Sequence, residues 1–393
     1  MALKVTPPNA IWPVPEAADG RIAAHLANGC EFVGDQRRRH AQARRAGVPT
    51  ILLAAHCVSH QLFGGERSFI DVLEALEALD LNVVVALPSA AHSFYTGHCA
   101  KRSLGVCVIP YAQWKDNRPP DEGIVRLFEE VIEERGVDLV YANTITHLEA
   151  LVAARRLNKK TVVHARELID RDDALAAQIG LPPAEIASAV FKAADHIVAN
   201  SAATAKLFWR EGRTHLAPNV IDASQLDIAN EVSEAVTFAI VSNNLPKKGV
   251  NDFIEVASRC ERLAPGARFV VIGPDNQHLA GLKPLAPANV AFAGYAESPL
   301  EAMSQTNVLL GLSHVAESFG RTIAEAQAAL GVIPAEAAQT IGKALAAHLE
   351  VGTLELPPLT TVEAIGASDA VGRAAKDDAS DLELIRGAEA WES

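Results

Sequence analysis

The sequence predicts an α/β protein with two domains, each built on a mostly parallel β-sheet covered by helices on both faces. Two observations carry this prediction: short apolar runs alternate with helical patterns from residue 50 to 198, and the alternation restarts at residue 237. Parallel neighbours in a sheet need a crossover between them, so such alternation is typical of right-handed βαβ units. A third observation is the length of 393 residues, which suits two or three domains.

The first domain is predicted at residues 49–220 and is Rossmann-like. Apolar runs predict strands over residues 51–55, 83–87, 106–109, 137–142, 161–163 and 196–198. Apolar residues at helical spacing predict helices over residues 69–79, 121–135, 146–157 and 184–194. The strands are mainly apolar, which is typical of a parallel sheet buried on both faces.

The second domain is predicted at residues 221–350, after a hinge over 219–235. Its strands are expected over 237–241, 269–272, 290–292 and 307–312, and its helices over 250–263, over 299–305 and after Gly320. Beyond residue 330 we expect one strand over 331–334, an Ala-rich helix over 335–349 and a mainly acidic tail over 351–393. Two such domains facing each other would bind a ligand in a cleft at the carboxyl ends of both sheets.

Composition restricts the class of protein. The net charge of −13 argues against a general nucleic-acid partner. The five cysteines are scattered without a Cys-x2-Cys pair, which favours neither a zinc site nor a disulfide framework. No secretory signal or membrane-length apolar run is recognised, so the expected location is cytoplasmic.

Residues 1–48 are expected to form a peripheral extension with a basic run from Arg37 to Arg45. The interpretation we favour for this run is a solvated helix face. The alternative is a peripheral contact with anionic lipid at the inner face of a membrane, because clustered arginines attract acidic headgroups.

The most informative segment runs from Glu317 to Glu325, after the predicted strand 307–312. A helix start at Ser318, Phe319 and Gly320 would offer N–H groups and a positive dipole end to a phosphate. The carboxylates of Glu317 and Glu325, with the latter about two turns into the helix, would accept hydrogen bonds from sugar hydroxyls. The combination favours a nucleotide-sugar, although an ordinary helix with two solvated glutamates is the simpler alternative.

This segment resembles the Glu-x7-Glu signature of the retaining glycosyltransferases of family 4. The resemblance covers residues 50–334 and is strongest over 237–330. It implies the GT-B fold, in which Glu317 contacts the donor sugar and Glu325 the nucleotide ribose. It also implies a UDP- or GDP-linked sugar as substrate, with no separate cofactor, and a glycan or lipid-linked acceptor. Family members usually supply two more strands near the end of the second domain, which is therefore expected to be shortened here.

The resemblance extends to five further positions. Gly64 and Gly65 match a Gly-Gly turn that faces the donor diphosphate and the acceptor, although a plain strand-to-helix turn explains them as well. Lys248 matches a lysine that neutralises the departing diphosphate, whereas Asn243 stands where the family has arginine. The family also has a histidine near the donor sugar, which makes His164 a candidate, with a structural histidine as the alternative.

Asp170 and Asp172 form an Asp-x-Asp pattern that could hold a metal ion, but the charged run around them favours a solvated loop. Helix starts and Lys248 can neutralise a diphosphate without a metal, so we expect a metal-independent transfer. Residues 217–222 resemble a family segment at the domain border, with a structural role. Two alternatives stay open: a non-catalytic or weakly active subunit of a polysaccharide-assembly complex, and a sugar-nucleotide epimerase of the same fold.

Overall fold

The computed structural model of the chain divides into two compact units, and the boundary along the sequence falls between Asn219 and Val220. The structure describes residues 31–33, 43–56, 61–226, 228 and 236–330. Most of the predicted N-terminal extension, part of the predicted hinge and everything expected after residue 330 lie outside these ranges. The arginines of the basic run at positions 37–39, together with Cys30 and Cys57, also lie outside them.

The first unit contains an eight-stranded sheet in the order β1-β4-β3-β2-β5-β6-β7-β8. All neighbouring strands are parallel except β1, which pairs antiparallel with β4 at one edge. The strand order reverses between β2 and β5, which is the switch point where open parallel sheets bind ligands. The strands are β1 (Glu31–Val33), β2 (Thr50–Ala54), β3 (Asn82–Leu87), β4 (Gly105–Val108), β5 (Leu139–Ala142), β6 (Lys160–Ala165), β7 (His196–Ala199) and β8 (Thr214–Leu216).

Helices cover both faces of this sheet. Successive residues of β2 show this directly, because Leu52 packs with Phe128 on one face and Leu53 with Phe69 on the other. The helices are α1 (Gly64–Ala78), α2 (Ser93–Lys101), α3 (Glu122–Glu134), α4 (Glu149–Arg156), α5 (Asp173–Ile179), α6 (Pro183–Ala193) and α7 (Ala202–Phe208). Burial of successive residues on opposite faces confirms the predicted parallel sheet covered on both sides.

The second unit contains a four-stranded parallel sheet in the order β11-β10-β9-β12. Its strands are β9 (Thr237–Val241), β10 (Arg268–Ile272), β11 (Val290–Gly294) and β12 (Val308–Leu309). Its helices are α8 (Val250–Leu263), α9 (Gln277–Leu282), α10 (Pro299–Ser304) and α11 (Arg321–Ala329). A core of aromatic rings joins α8 to the sheet, where Phe253 and Phe238 both pack on Phe269.

The strand predicted over 307–312 is shorter in the structure. Regular pairing covers Val308 and Leu309, and the last ladder bond runs from the Leu310 N–H to the Ala239 carbonyl. At Gly311 the chain passes close to α11, since a β-carbon there would lie 3.1 Å from the Ile323 side chain. The chain therefore leaves the sheet early and turns towards the helix.

No single helix in the described part of the chain is long and apolar enough to cross a membrane. Helices α5 and α6 pass by length and composition only as a pair bent by 62°. Ile186 and Val190 of α6 are buried in the core of the first unit.

Candidate functional site

In the second unit, the strongest sequence candidates meet where two neighbouring strands end. β12 pairs parallel with β9, so the loops that follow both strands leave the same edge of the sheet. The loop after β9 carries Asn243 and Lys248, and the loop after β12 carries Glu317. This edge therefore brings together residues about 70 positions apart in the sequence.

Lys248 and Glu317 form an ion pair at this edge, with 2.5 Å between Nζ and Oε1. Both side chains are partly exposed, Lys248 by 25% and Glu317 by 39%. An ammonium group has three N–H donors, so Lys248 can bind Glu317 and a second oxygen at once. The pair thus offers a positive charge for a phosphate beside a carboxylate for hydroxyl groups.

Backbone contacts fix the two loops against each other. The Lys247 carbonyl accepts hydrogen bonds from the His314 N–H at 2.9 Å and from the Ser313 hydroxyl at 3.4 Å. Gly249 has a left-handed φ of +76°, and a β-carbon there would lie 2.0 Å from the Leu312 carbonyl oxygen. Only glycine allows this approach, so the backbone sets the distance between Lys248 and Glu317.

Helix α11 begins beside this ion pair. Gly320 is its N-cap at φ +72°, and the first intrahelical bond runs from the Ala324 N–H to the Gly320 carbonyl. The terminal N–H groups are therefore those of residues 320–323, whereas Ser318 and Phe319 lie in the preceding loop. The positive end of the helix dipole is thus close in sequence to Glu317 and suits an anion.

Glu325 lies on α11, a little over one turn from the helix start rather than about two. It is only 6% exposed, and its Oε1 is 2.9 Å from the Arg321 Nε. The side chain of Arg321 is itself only 15% exposed. Glu325 is therefore a carboxylate oriented by a mostly buried ion pair, and not a solvated residue of the helix surface.

Asn243 lies in a turn built by neighbouring asparagines. Its Oδ1 is 3.5 Å from the Leu245 N–H, and its carbonyl accepts a hydrogen bond from Asn276 Nδ2 at 3.1 Å. Asn276 also caps α9 through the Leu279 N–H at 2.8 Å. Sequence analysis did not single out Asn276, although an asparagine directly before a helix is a recognisable N-cap.

In the first unit, His164 is the last residue but one of the parallel strand β6 and is 4% exposed. Its Nδ1 lies 3.0 Å from the Tyr141 hydroxyl and 3.2 Å from Arg166 Nη2. Burial lowers the pKa of His164 well below its ordinary value, and the charge of Arg166 adds to this effect. The neutral ring accepts at Nδ1 because arginine can only donate, so this network assigns the ring proton to Nε2. Nε2 is buried without a hydrogen-bond partner in the part of the chain that the structure describes.

Arg166 holds the surroundings of His164 together. Its guanidinium donates to Asn143 Oδ1 at 2.9 Å, to Asn219 Oδ1 at 2.5 Å and to the Ser68 carbonyl at 3.3 Å. These contacts join the end of β5, the start of α1 and the last residue of the unit. Sequence patterns do not reveal this role, because the partners of Arg166 are distant along the chain.

The Gly64–Gly65 turn opens α1 beside His56, which follows β2 at the switch point. His56 Nε2 is 3.3 Å from Glu66 Oε1, and Glu66 Oε2 accepts from the Phe63 N–H at 2.9 Å. A β-carbon on Gly65 would lie 2.8 Å from His56 Nε2, so the glycine makes room for the imidazole. The sequence analysis missed this His56–Glu66 pair.

The electrostatics of Glu66 follow from this pair. Burial alone would raise the pKa of the Glu66 carboxyl, but the His56 imidazole and the backbone N–H groups lower it below its ordinary value. Glu66 is therefore a charged carboxylate at 3% exposure, and it holds one ring nitrogen of His56. The other ring nitrogen, Nδ1, has no hydrogen-bond partner among the described residues.

The remaining candidates have local roles. Asp172 caps α5 through the Leu175 N–H at 3.1 Å, and Asp170 is exposed. Asp222 accepts hydrogen bonds from Ser224 and Gln225 within its own turn. Within the described ranges, no group of three His, Cys, Asp or Glu residues is arranged to hold a metal ion.

Two family models match the sequence. The model described as Glycosyltransferase Family 4 matches residues 64–225, and the model described as Glycosyl transferases group 1 matches residues 225–365. Together they cover the first unit from α1 onward and most of the second. No curated protein matches the chain.

Solved glycosyltransferases share this architecture, which is the GT-B fold. HepE of Anabaena, in complex with UDP and glucose, superposes with a TM-score of 0.57 at 18% identity, over 72% of this chain and 78% of its own. TarM of S. aureus, in complex with fondaparinux, α-GlcNAc-glycerol and UDP, gives 0.53 at 10% identity, over 72% and 84%. WaaG, a glycosyltransferase involved in lipopolysaccharide biosynthesis, gives 0.52 at 17% identity, over 71% and 79%.

Proposed function

From the premise that the chain is a glycosyltransferase of the GT-B fold, we propose that it uses a nucleotide-sugar donor and a glycan or lipid-linked acceptor. The transfer would retain the anomeric configuration and need no metal ion. The observation that carries the proposal is the Lys248–Glu317 ion pair at the shared edge of β9 and β12, next to the start of α11.

The second unit supplies what a nucleotide-sugar needs. The Lys248 ammonium and the N–H groups at the start of α11 would bind the diphosphate and stabilise the charge that grows as it departs. Glu317 would accept hydrogen bonds from the sugar hydroxyls, and Glu325 from the ribose. A carboxylate that accepts a hydroxyl proton in this way makes a charge-assisted hydrogen bond, which is stronger than a neutral one.

Retention would proceed on one face of the sugar, with no protein nucleophile. The acceptor oxygen bonds to the anomeric carbon, the bond from that carbon to the diphosphate breaks, and the acceptor proton passes to the departing phosphate oxygen. His164 supports this scheme because its neutral ring presents a buried Nε2–H that can donate to an oxygen of the sugar. Gly64 and Gly65 would allow close approach of the acceptor and the diphosphate.

A thermal-shift panel of nucleotide-sugars tests which donor the protein binds. UDP occupies both HepE and TarM in their solved complexes, so UDP-sugars come first in a panel, followed by GDP-sugars. A ligand that binds only the folded state raises the melting temperature, and the shift grows with its concentration.

The test compares the wild type with Lys248→Gln in this panel and in calorimetry with UDP. Loss of the ammonium should weaken UDP binding about 10- to 150-fold, the range expected for a hydrogen bond to a charged group. Lys283→Gln is the matched control, because Lys283 also forms a partly exposed ion pair in the second unit, with Asp275. If both variants bind UDP like the wild type, the site is not at Lys248.

A weakly active or non-catalytic subunit is the alternative, and Asn243 at the family's arginine position favours it. Asn243→Arg would add a fixed charge and a fork of donors at that position. We expect faster turnover of the donor in the variant, measured as release of UDP. A donor that binds to both forms without turnover in either would support the binding subunit.

A further inference from the structure

A groove on the surface of the first unit combines three cationic side chains with an apolar floor. It lies between α6 and the turn that leads from α7 to β8, and its volume is about 400 Å³. Lys192, Arg210 and Arg213 line it together with Phe191, Ala187 and Leu207, and no carboxylate contributes to the lining. In a chain with a net charge of −13, the lining of this groove carries positive charge only.

The three cations are not equivalent. Arg213 is structural, because its guanidinium donates to the carbonyls of Phe191 and Ala194 at the end of α6. The Arg210 guanidinium stacks over the Phe191 ring at 4.6 Å and, among the described residues, donates to the adjacent Trp209 carbonyl, while Lys192 is exposed. Glu185 and Glu211 lie in the same segments, but neither forms an ion pair with Lys192 or Arg210 in the described part of the chain. Lys192 and Arg210 are therefore available to an external anion.

Two large apolar side chains of the same segment are exposed. Trp209 directly precedes Arg210 and is 41% exposed, and Leu216 on the edge strand β8 is 44% exposed. Tryptophan with its amphipathic ring is enriched at membrane surfaces, where lysine and arginine reach the lipid phosphates. A free phosphate would use the cations and leave the tryptophan without a role.

We propose that this groove and Trp209 form a docking surface for a membrane rich in acidic phospholipids. Lipid phosphates would bind Lys192 and Arg210, and Trp209 would insert at the level of the headgroups. The surface differs from the basic run of the N-terminal extension. Of that run, Arg44 donates to the Arg135 carbonyl and Arg45 pairs with Asp80, so both bind their own unit.

The test is co-sedimentation of the full chain with phosphatidylcholine vesicles and with vesicles that also contain phosphatidylglycerol. We expect binding to the acidic vesicles alone, weakened by salt, with a blue shift of the tryptophan emission that Trp209→Phe abolishes. The double substitution Lys192→Gln, Arg210→Gln should lower partitioning roughly 30-fold, since each basic residue near the surface contributes about fivefold.

The matched control is Arg118→Gln, Arg126→Gln, which removes the same charge from exposed positions outside the groove. Ser188→Glu, at an exposed position of the groove on α6, should also weaken binding without removing a cation. Equal binding to both kinds of vesicle, or no binding by the wild type, would overturn the proposal. A control variant that loses as much binding as the groove variant would place the contact elsewhere.

Discussion

The proposed ribose contact of Glu325 would use the same carboxylate that pairs with Arg321. Its carboxylate is matched to a ribose by the family resemblance, yet it is also the partner of Arg321 in a mostly buried ion pair. Removing one partner of such a pair leaves a charge without compensation, which is more costly than removing both. Stability and ligand affinity must therefore be measured together for this residue.

We expect Glu325→Gln to lower the free energy of unfolding of the second unit by about 3 kcal/mol, because Arg321 loses its charged partner. Denaturant unfolding of the full chain, with and without UDP, measures this. The double substitution Arg321→Leu, Glu325→Gln should recover part of the loss. If Glu325→Gln weakens UDP binding but leaves unfolding unchanged, the ion pair does not contribute to stability and the ribose contact is the main role of Glu325.

In the first unit, Gly65 leaves room for the imidazole of His56. Gly65→Ala places a β-carbon 2.8 Å from His56 Nε2, so the imidazole must shift away from Glu66 and the buried carboxylate loses this contact. We expect a loss of roughly 1–3 kcal/mol of unfolding free energy in urea. Gly97→Ala in α2 is the control, since its added methyl group meets nothing within 4 Å and should stabilise the helix by up to about 1 kcal/mol. Equal effects of the two substitutions would show that His56 moves aside without cost.

At the scale of elements, the two loops of the second unit form the part of the site that depends most on backbone shape. Gly249→Ala would press a β-carbon against the Leu312 carbonyl and force the loops after β9 and β12 apart. The substitution should abolish UDP binding and lower the melting temperature. Gly294→Ala is a matched control with φ +81° and open space around it, so it meets only the backbone strain of about 1–2 kcal/mol. Retained UDP affinity in Gly249→Ala would mean that the loop contact does not position Lys248.

The sequence predicts those elements whose signal is local. β9 and α8 have the expected bounds, because an apolar run and a strong helical period define each of them. Helix α2 was missed, since it contains Gly97 and little amphipathic pattern, and α9 is only six residues long. The strand over 307–312 was predicted too long because its apolar residues continue into a loop that packs on α11.

In the candidate site, too, only the features with a local sequence signal could be predicted. Lys248 and Glu317 were each found from short motifs, but their ion pair depends on the pairing of β12 with β9, which no motif encodes. The contacts of Arg166 and the His56–Glu66 ion pair could not be predicted from motifs either, because they join residues that are not neighbours in the sequence. Sequence patterns thus identify candidate residues, whereas the sheet topology determines which of these residues are in contact.

At the scale of the whole molecule, buried histidines link stability to pH. His147 is fully enclosed and stacks on Tyr111 with 4.7 Å between ring centroids. Burial lowers the pKa of His147 from 6.5 to about 4, and the neighbouring His56 adds to this, while the Ala55 carbonyl opposes it. Burial lowers the pKa of His164 as well. Both rings are therefore neutral in the folded chain under conditions where the unfolded chain already binds protons.

The lowered pKa of His147 makes the free energy of unfolding depend on pH. His147 of the unfolded chain is protonated below about pH 6.5, whereas His147 of the folded chain is protonated only below about pH 4. Between these values the unfolded chain binds more protons, so the free energy of unfolding falls as the pH falls. At about pH 5 the share of His147 is roughly 2 kcal/mol. His147→Leu should flatten the pH dependence of urea unfolding by that amount, whereas His215→Gln, at an exposed position, should leave it unchanged. Parallel pH profiles for the wild type and His147→Leu would show that His147 has the same pKa in the folded and the unfolded chain, and would contradict the effect of burial at this residue.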